Sequence, residues 1–385
     1  MTPRKLRVAL LTHSTNPRGG VVHALELAEA LTDLGHEAVV HAPDPSGRGF
    51  FRAARCELRP IPALKVGDDL ASLVAFRVAD YVAWFSKAEN RGFDVWHAGD
   101  GISANALANL REAGLIPAFA RTVHHIDDFD DPRVEALQAR AITAPDAHFV
   151  VSQEWRERLL ADWGIDAEVV GNGVDTRRFS PCRDAADEEL AASLLPPGGP
   201  VFLAVGGIEE RKNTVRILEA FRLIHASEPA ARLVVAGGAS LLDHSAYRRA
   251  FDAVLAAGRL EEAVIVTGPM PQRLMAPLYR AADALVFPSL KEGFGLVALE
   301  AMACGTPVIV SVGRPFDDWL EPGEALRCDP ASSRAIAAAM ARMLGPSLRA
   351  DLAARGPAVA ARHSWRAVAE RHLGVYEALP EIAHA

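Results

Sequence analysis

Short apolar runs alternate with amphipathic stretches along the chain. Residues 7–12 read as a strand. In 21–34, Ala24, Leu27, Ala28, Leu31 and Leu34 share one helical face, Gly35 closes the helix, and 38–41 form the next strand. Further strands are expected at 94–98, 120–123 and 148–152, and helices near 72–87, 103–113 and 154–163. Strands alternating with helices imply a parallel sheet covered on both faces.

Between 181 and 200 the pattern stops. Acidic residues give way to Pro196-Pro197-Gly198-Gly199-Pro200, breakers with no room for a regular element. The pattern then restarts with strands at 201–205, 232–236, 263–267 and 284–287 and helices at 213–226, 247–257, 334–344, 347–362 and 365–379. The expected fold class is α/β with two doubly wound Rossmann-like domains, 1–180 and 181–362, and a last helix in 363–385 returning to the first. Such domains place ligand crevices at the C-terminal ends of their strands, and a central cleft between the two suits a two-substrate reaction.

At 385 residues, half of them hydrophobic, two cores are affordable. A net charge of -8 argues against a nucleic-acid partner. Cys56, Cys182, Cys304 and Cys328 show no Cys-x-x-Cys spacing, so neither a disulfide framework nor a zinc ribbon is written here, and a reducing cytoplasm fits. The apolar run near the N-terminus is too short for a signal peptide, and no segment of about 20 apolar residues spans a membrane. Peripheral membrane attachment remains compatible with this composition.

The chemistry concentrates in 289–310. A buried strand ends at Pro288, Gly293 and Gly295 permit a tight turn, and a helix follows whose first N–H groups lack partners. That is an anion site. Glu292 and Glu300 flank it. Eight positions of helix amount to about 12 Å of rise and roughly 80° of rotation, too far for a glycosidase pair at about 5 to 9.5 Å, so the two carboxylates do separate jobs.

Glu292-Gly293-Phe294-Gly295 through Glu300, followed by Ala301-Met302-Ala303-Cys304-Gly305-Thr306-Pro307-Val308, resembles the signature of retaining glycosyltransferases of family four, which have the GT-B fold. The resemblance implies a donor site for a nucleotide diphosphate sugar. Glu300 would accept the ribose hydroxyls, Glu292 would face the donor sugar, and the amides of Phe294, Gly295 and Leu296 would hold the diphosphate. Gly206 to Asn213 resembles the family's Gly-Arg-hydrophobic-x-x-x-Lys segment. Lys212 matches the lysine that neutralises the leaving diphosphate, but Gly207 stands at the arginine, leaving Arg211 or Arg314 to supply the charge.

In the first domain Gly19-Gly20 resembles the family's Gly-Gly loop at phosphates and acceptor. Thr122-Val123-His124 resembles the segment whose histidine lies beside the donor's anomeric centre, with His125 as the alternative. Asn172-Gly173-Val174-Asp175 with Phe179, and Ser364-Trp365 with Tyr376, match family segments that read as structural. Where the family usually has a Gly-Gly-x-x-Glu-like turn, this chain has 311–319, and where many members have a second histidine it has Gly99.

Competing readings are a nucleotide-sugar epimerase or sugar phosphorylase, an NAD-linked oxidoreductase using Gly99-Asp100-Gly101, and a non-catalytic nucleotide-sugar binder. Asp128-Phe129-Asp130 spells Asp-x-Asp, a metal motif of the other large glycosyltransferase fold. The expected activity is metal-independent, cofactor-free retaining sugar transfer to a small-molecule, glycan or lipid acceptor. His124, Glu292 and Lys212 are the expected catalytic residues. Donor binding is assigned to Gly19, Gly20, Arg211, Lys212, Glu292, Gly293, Phe294, Gly295, Leu296 and Glu300.

Overall fold

The computed structural model describes residues 4–66, 69–193, 198–238 and 244–379. Pro196 and Pro197 of the expected breaker string lie outside them. Two compact units emerge, Met1–Gly173 with Trp365–Ala385 and Val174–Ser364.

The first unit runs β1 (Arg7–Leu11), α1 (Gly19–Asp33), β2 (Glu37–Asp44), β3 (Glu57–Pro62), α2 (Leu70–Ser86), β4 (Val95–Ala98), α3 (Gly101–Glu112), β5 (Ala120–Val123), α4 (Pro132–Thr143), β6 (Ala147–Val150), α5 (Gln153–Trp163) and β7 (Glu168–Val169). All strand pairs are parallel, in the order β3-β2-β1-β4-β5-β6-β7. The order reverses between β1 and β4, so their C-terminal ends open a crevice. Trp96, Tyr81, Phe85, Phe119 and Leu107 fill one face of this sheet. The Tyr81 hydroxyl also lies 2.6 Å from the Thr12 carbonyl and 2.9 Å from the His41 carbonyl, its one proton shared between them, tying the end of β1 to β2.

The second unit runs α6 (Ala185–Ser193), β8 (Val201–Val205), α7 (Thr214–Ser227), β9 (Arg232–Ala236), α8 (Ser245–Gly258), β10 (Val264–Gly268), α9 (Met275–Ala281), β11 (Ala284–Phe287), α10 (Leu296–Ala303), β12 (Val308–Ser311), β13 (Leu326–Cys328), α11 (Ser333–Met343) and α12 (Pro346–Ala361). Its parallel sheet is ordered β10-β9-β8-β11-β12-β13, with the reversal between β8 and β11. Phe202, Phe221, Phe251, Ile309 and Met340 anchor its core. The last helix, α13 (Trp365–Tyr376), belongs to the first unit.

Three features differ from the sequence expectation. The acidic stretch ahead of the breakers forms α6, stapled to α9 by Arg280 with Asp187 (2.6 Å) and to the 3-10 turn just before α9 by Arg273 with Glu189 (2.6 Å). Along the chain the first unit ends at Gly173 and the second begins at Val174, ahead of the expected residue 181. Val174 donates to the His363 carbonyl (3.0 Å) and Phe179 meets the Tyr279 ring at 6.0 Å, both inside the second unit. His363 and Ser364, expected with the last helix, likewise belong to the second unit.

Candidate active site

In the second unit the site grows from the loops after β8 and β11, the two strands at the switch point. Gly206 follows β8 with φ +125, and a Cβ there would stand 2.9 Å from Cε of Lys212. The lysine stem runs over bare backbone. Lys212 closes a 3-10 turn, Glu210–Lys212, and Asn213 follows in the left-handed region with φ 62. The buried Asn213 side chain donates to the carbonyls of Pro288 (3.0 Å) and Pro330 (2.7 Å), and its oxygen accepts from Arg216 (3.0 Å). One amide thus fixes the turn against the end of β11.

Held this way, Lys212 Nζ lies 2.6 Å from Glu292 Oε2 and 4.5 Å from the centre of the Phe287 ring. Burial lowers the lysine's pKa, and Glu292 works against that shift. Burial alone would raise the Glu292 pKa, yet Lys212 and Arg211 hold it below the usual glutamate value. Glu292 is therefore a carboxylate at neutral pH. Arg211 is half-exposed, with Nη1 3.9 Å from the same Glu292 oxygen and Nε 3.4 Å from Glu209. Arg314 turns to Asp318 at 3.2 Å.

The loop from Glu292 to Gly295 is not helical, because α10 begins at Leu296. The helical rise expected between Glu292 and Glu300 therefore does not apply. Gly293 donates to Glu292 Oε1 (3.2 Å). Phe294 stacks on Trp319 at 5.2 Å, and the indole N–H donates to the Phe294 carbonyl (3.1 Å). Gly295 has φ +98, with room for no Cβ because Phe316 would be 2.7 Å away. The 311–319 segment, where the sequence departs from the family pattern, thus supplies the aromatic brace for this turn. Leu296 opens α10, whose first amides have no partner within the helix.

Glu300 lies inside α10, and its Oε2 accepts the hydroxyl of Tyr279 at 2.7 Å. Tyr279 is fully buried, and burial together with Glu300 and Cys304 raises its pKa far above the ordinary value, so it is a fixed donor. Sequence reasoning missed Tyr279, Asn213, Phe316 and Trp319 as site-building residues.

In the first unit Gly19 and Gly20 are not loop residues but the first turn of α1. A Cβ at Gly20 would reach 3.4 Å from the His124 ring, and one at Gly19 would meet open space. His124 follows β5 and turns inward, whereas His125 is exposed and lies 3.0 Å from Asp127. Burial, reinforced by His23, His125, His97 and Arg121, holds the His124 pKa well below the usual histidine value. Asp100 accepts from the amides of Ser103 (2.9 Å) and His13 (2.6 Å), so its carboxylate caps α3 where a dinucleotide's pyrophosphate would need to sit. Asp128 and Asp130 are exposed residues of the loop before α4.

Two parallel Rossmann-like sheets, with the donor-type loop on the second, define a GT-B glycosyltransferase. The chain belongs to glycosyltransferase family 4: residues 17–178 match the family described as Glycosyltransferase Family 4, and residues 186–358 match Glycosyl transferases group 1. A D-inositol 3-phosphate glycosyltransferase of Thermobispora bispora is 37% identical, covering 98% of this chain and 96% of that one. One of Xylanimonas cellulosilytica is 30% identical over 96% of each. Among solved structures, the sucrose-phosphate synthase of Thermosynechococcus elongatus superposes with a TM-score of 0.79 at 24% identity, covering 97% of this chain and 99% of that chain. Anabaena HepE in complex with UDP and glucose gives 0.78 at 17% identity, covering 97% and 100%. The protein is a glycosyltransferase, and the oxidoreductase, epimerase and phosphorylase readings are not favoured. No helix among the described residues is long and apolar enough to cross a membrane.

Proposed function

We propose that the protein transfers a sugar from a nucleoside diphosphate sugar to an acceptor, with retention at the anomeric carbon and without a catalytic metal. The observation that carries this reading is the convergence of Lys212, Arg211 and the start of α10 around Glu292 at the β8/β11 switch point. Of the three protons on the lysine ammonium, Glu292 engages one, leaving donors for an anion beside it. Preorganised cations and amides stabilise the charge that develops on a departing diphosphate. They do the work a divalent ion would otherwise do.

In this reading Glu300, aligned by Tyr279, accepts the ribose hydroxyls, and Glu292 faces the donor sugar. His124 lies beside the anomeric carbon, and Gly19 and Gly20 let backbone approach phosphates or acceptor. The leaving phosphate takes the acceptor proton, which removes the need for a separate protein base. HepE, whose structure holds UDP and glucose, supports the donor class, and the relatives' names make D-inositol 3-phosphate the first acceptor to try.

Thermal-shift measurement against UDP-, GDP- and ADP-sugars tests the donor, since a ligand at a hundred times its Kd stabilises by about 2.7 kcal/mol. Lys212→Ala removes a charged hydrogen bond of about 1.5 to 3 kcal/mol and should lower kcat/KM roughly ten- to a hundredfold. Activity should survive chelation, and the product should keep the donor's anomeric configuration by NMR. Full turnover in Lys212→Ala, or loss on chelation rescued by a divalent ion, would refute the charge assignment.

A further inference from the structure

Two segments that read as structural in sequence, around Asn172 and around Trp365, converge on one side chain beside His124. The His124 Nε2 is buried with no hydrogen-bond partner among the described residues, so packing must fix the ring's plane. His23 does so: it meets the ring edge-on, with centroids 4.8 Å apart and planes at 74°, while the side facing Gly20 has room for a Cβ at contact distance, 3.4 Å from the ring.

His23 is itself over-determined. It sits on α1 just after Gly20, 2% exposed, with Nδ1 2.7 Å from the Asn172 side-chain oxygen. Trp365 meets its ring at 5.3 Å and 82°, and His372 approaches to 5.9 Å, both from α13. With the Asn172 oxygen assigned as acceptor, the His23 proton belongs on Nδ1 and its Nε2 is bare. Burial lowers the His23 pKa to about 4 in spite of that bond, so His23 itself is neutral near neutral pH.

We propose that His23 and Asn172 are positioning residues for the transfer reaction, setting the plane of the His124 ring. The proposal rests on the reading that His124 lies beside the reacting sugar. Asn172 acts through His23, and His23 through His124. Neither needs to touch substrate.

The test uses the full chain labelled with ¹⁵N-histidine, read by long-range proton–nitrogen correlation, with UDP-glucose, GDP-mannose and ADP-glucose as kinetic probes. Wild-type His23 should carry its proton on Nδ1, with one sharp set of His124 signals. Asn172→Ala should redistribute the His23 proton and shift or broaden the His124 signals. In the same variant kcat should fall about tenfold while KM for the donor stays within about twofold. His23→Phe keeps a ring against Trp365 but cannot reach Asn172, and it should reproduce the kcat loss at near-wild-type melting temperature. A wild-type His23 protonated at Nε2 overturns the proposal even if the variants fail to fold. So do unchanged His124 signals and unchanged kcat in a folded Asn172→Ala. Full activity in His124→Ala would remove the underlying reading and with it the claim that this positioning serves transfer, a failure told apart from the others because the coupling seen in the spectra would still stand.

Discussion

Gly207 occupies the position at which the family resemblance calls for arginine, and its backbone explains why no side chain is there. Its φ is +79, and a Cβ would stand 2.7 Å from the Gly238 carbonyl oxygen. Gly237, at φ +117, packs back with its own Cβ position 2.8 Å from the Gly207 nitrogen. Restoring the family residue as Gly207→Arg should therefore destabilise the protein. The left-handed backbone alone costs about 1 to 2 kcal/mol, and separating the two loops adds to that. Melting temperature should fall, with no gain in nucleotide affinity. A variant as stable as wild type that binds UDP more tightly would show that the loop relaxes freely. Arg211 is the better source of the second charge, because Nη1 approaches the same Glu292 oxygen that Lys212 holds, whereas Arg314 is engaged with Asp318.

At the level of elements, α10 works through its neighbours. Its turn is braced by Phe316 and Trp319, and its glutamate is aimed by Tyr279 from α9. Tyr279→Phe removes one buried hydrogen bond without changing the ring, so Glu300 should lose alignment at a cost of about 1 to 3 kcal/mol. Nucleotide affinity, measured by titration, should weaken clearly in Tyr279→Phe and further in Glu300→Ala. Equal affinity in all three proteins would dissociate Glu300 from the ribose. The strands at the two switch points were legible because their Val, Ile, Leu and Ala runs are buried on both faces. The α10 unit was legible because glycines and a proline punctuate it. β3 was hidden by Pro60 and Pro62, which fit an edge strand but read as breaks. α4 was hidden in an acidic stretch, although Asp131 caps it and Pro132 opens it. The pairing of Lys212 with Glu292 spans 80 positions and that of His23 with Asn172 spans 149, so no local spacing announces either contact.

Across the whole molecule the two units differ in how they hold their histidines. In the first, burial depresses the pKa of His23 to about 4 and of His41 and His372 to about 3, and drives His97 and His124 well down as well. All five of these histidines lie in the first unit. A histidine whose folded pKa lies below its unfolded value of 6.5 binds more protons when unfolded. Stability is then complete above about pH 6.5 and is lost as pH falls toward the folded pKa. Each such group costs on the order of 1 kcal/mol per pH unit in that window, so several together rival a typical folding free energy of about 5 to 15 kcal/mol. Asp44 and Asp100 have lowered pKa values, and their stabilisation is lost only at more acid pH, as pH falls through those folded values. Acidification from pH 7.5 to 5 should therefore loosen the first unit before the second. Hydrogen exchange read by mass spectrometry, corrected for intrinsic rates, should show protection falling first in β1, β4 and β5, while β8, β11 and β12 keep theirs. Earlier loss in the second unit would mean that the buried histidines do not control acid stability, and that its carboxylate pairs, Glu292 with Lys212 foremost, give way first.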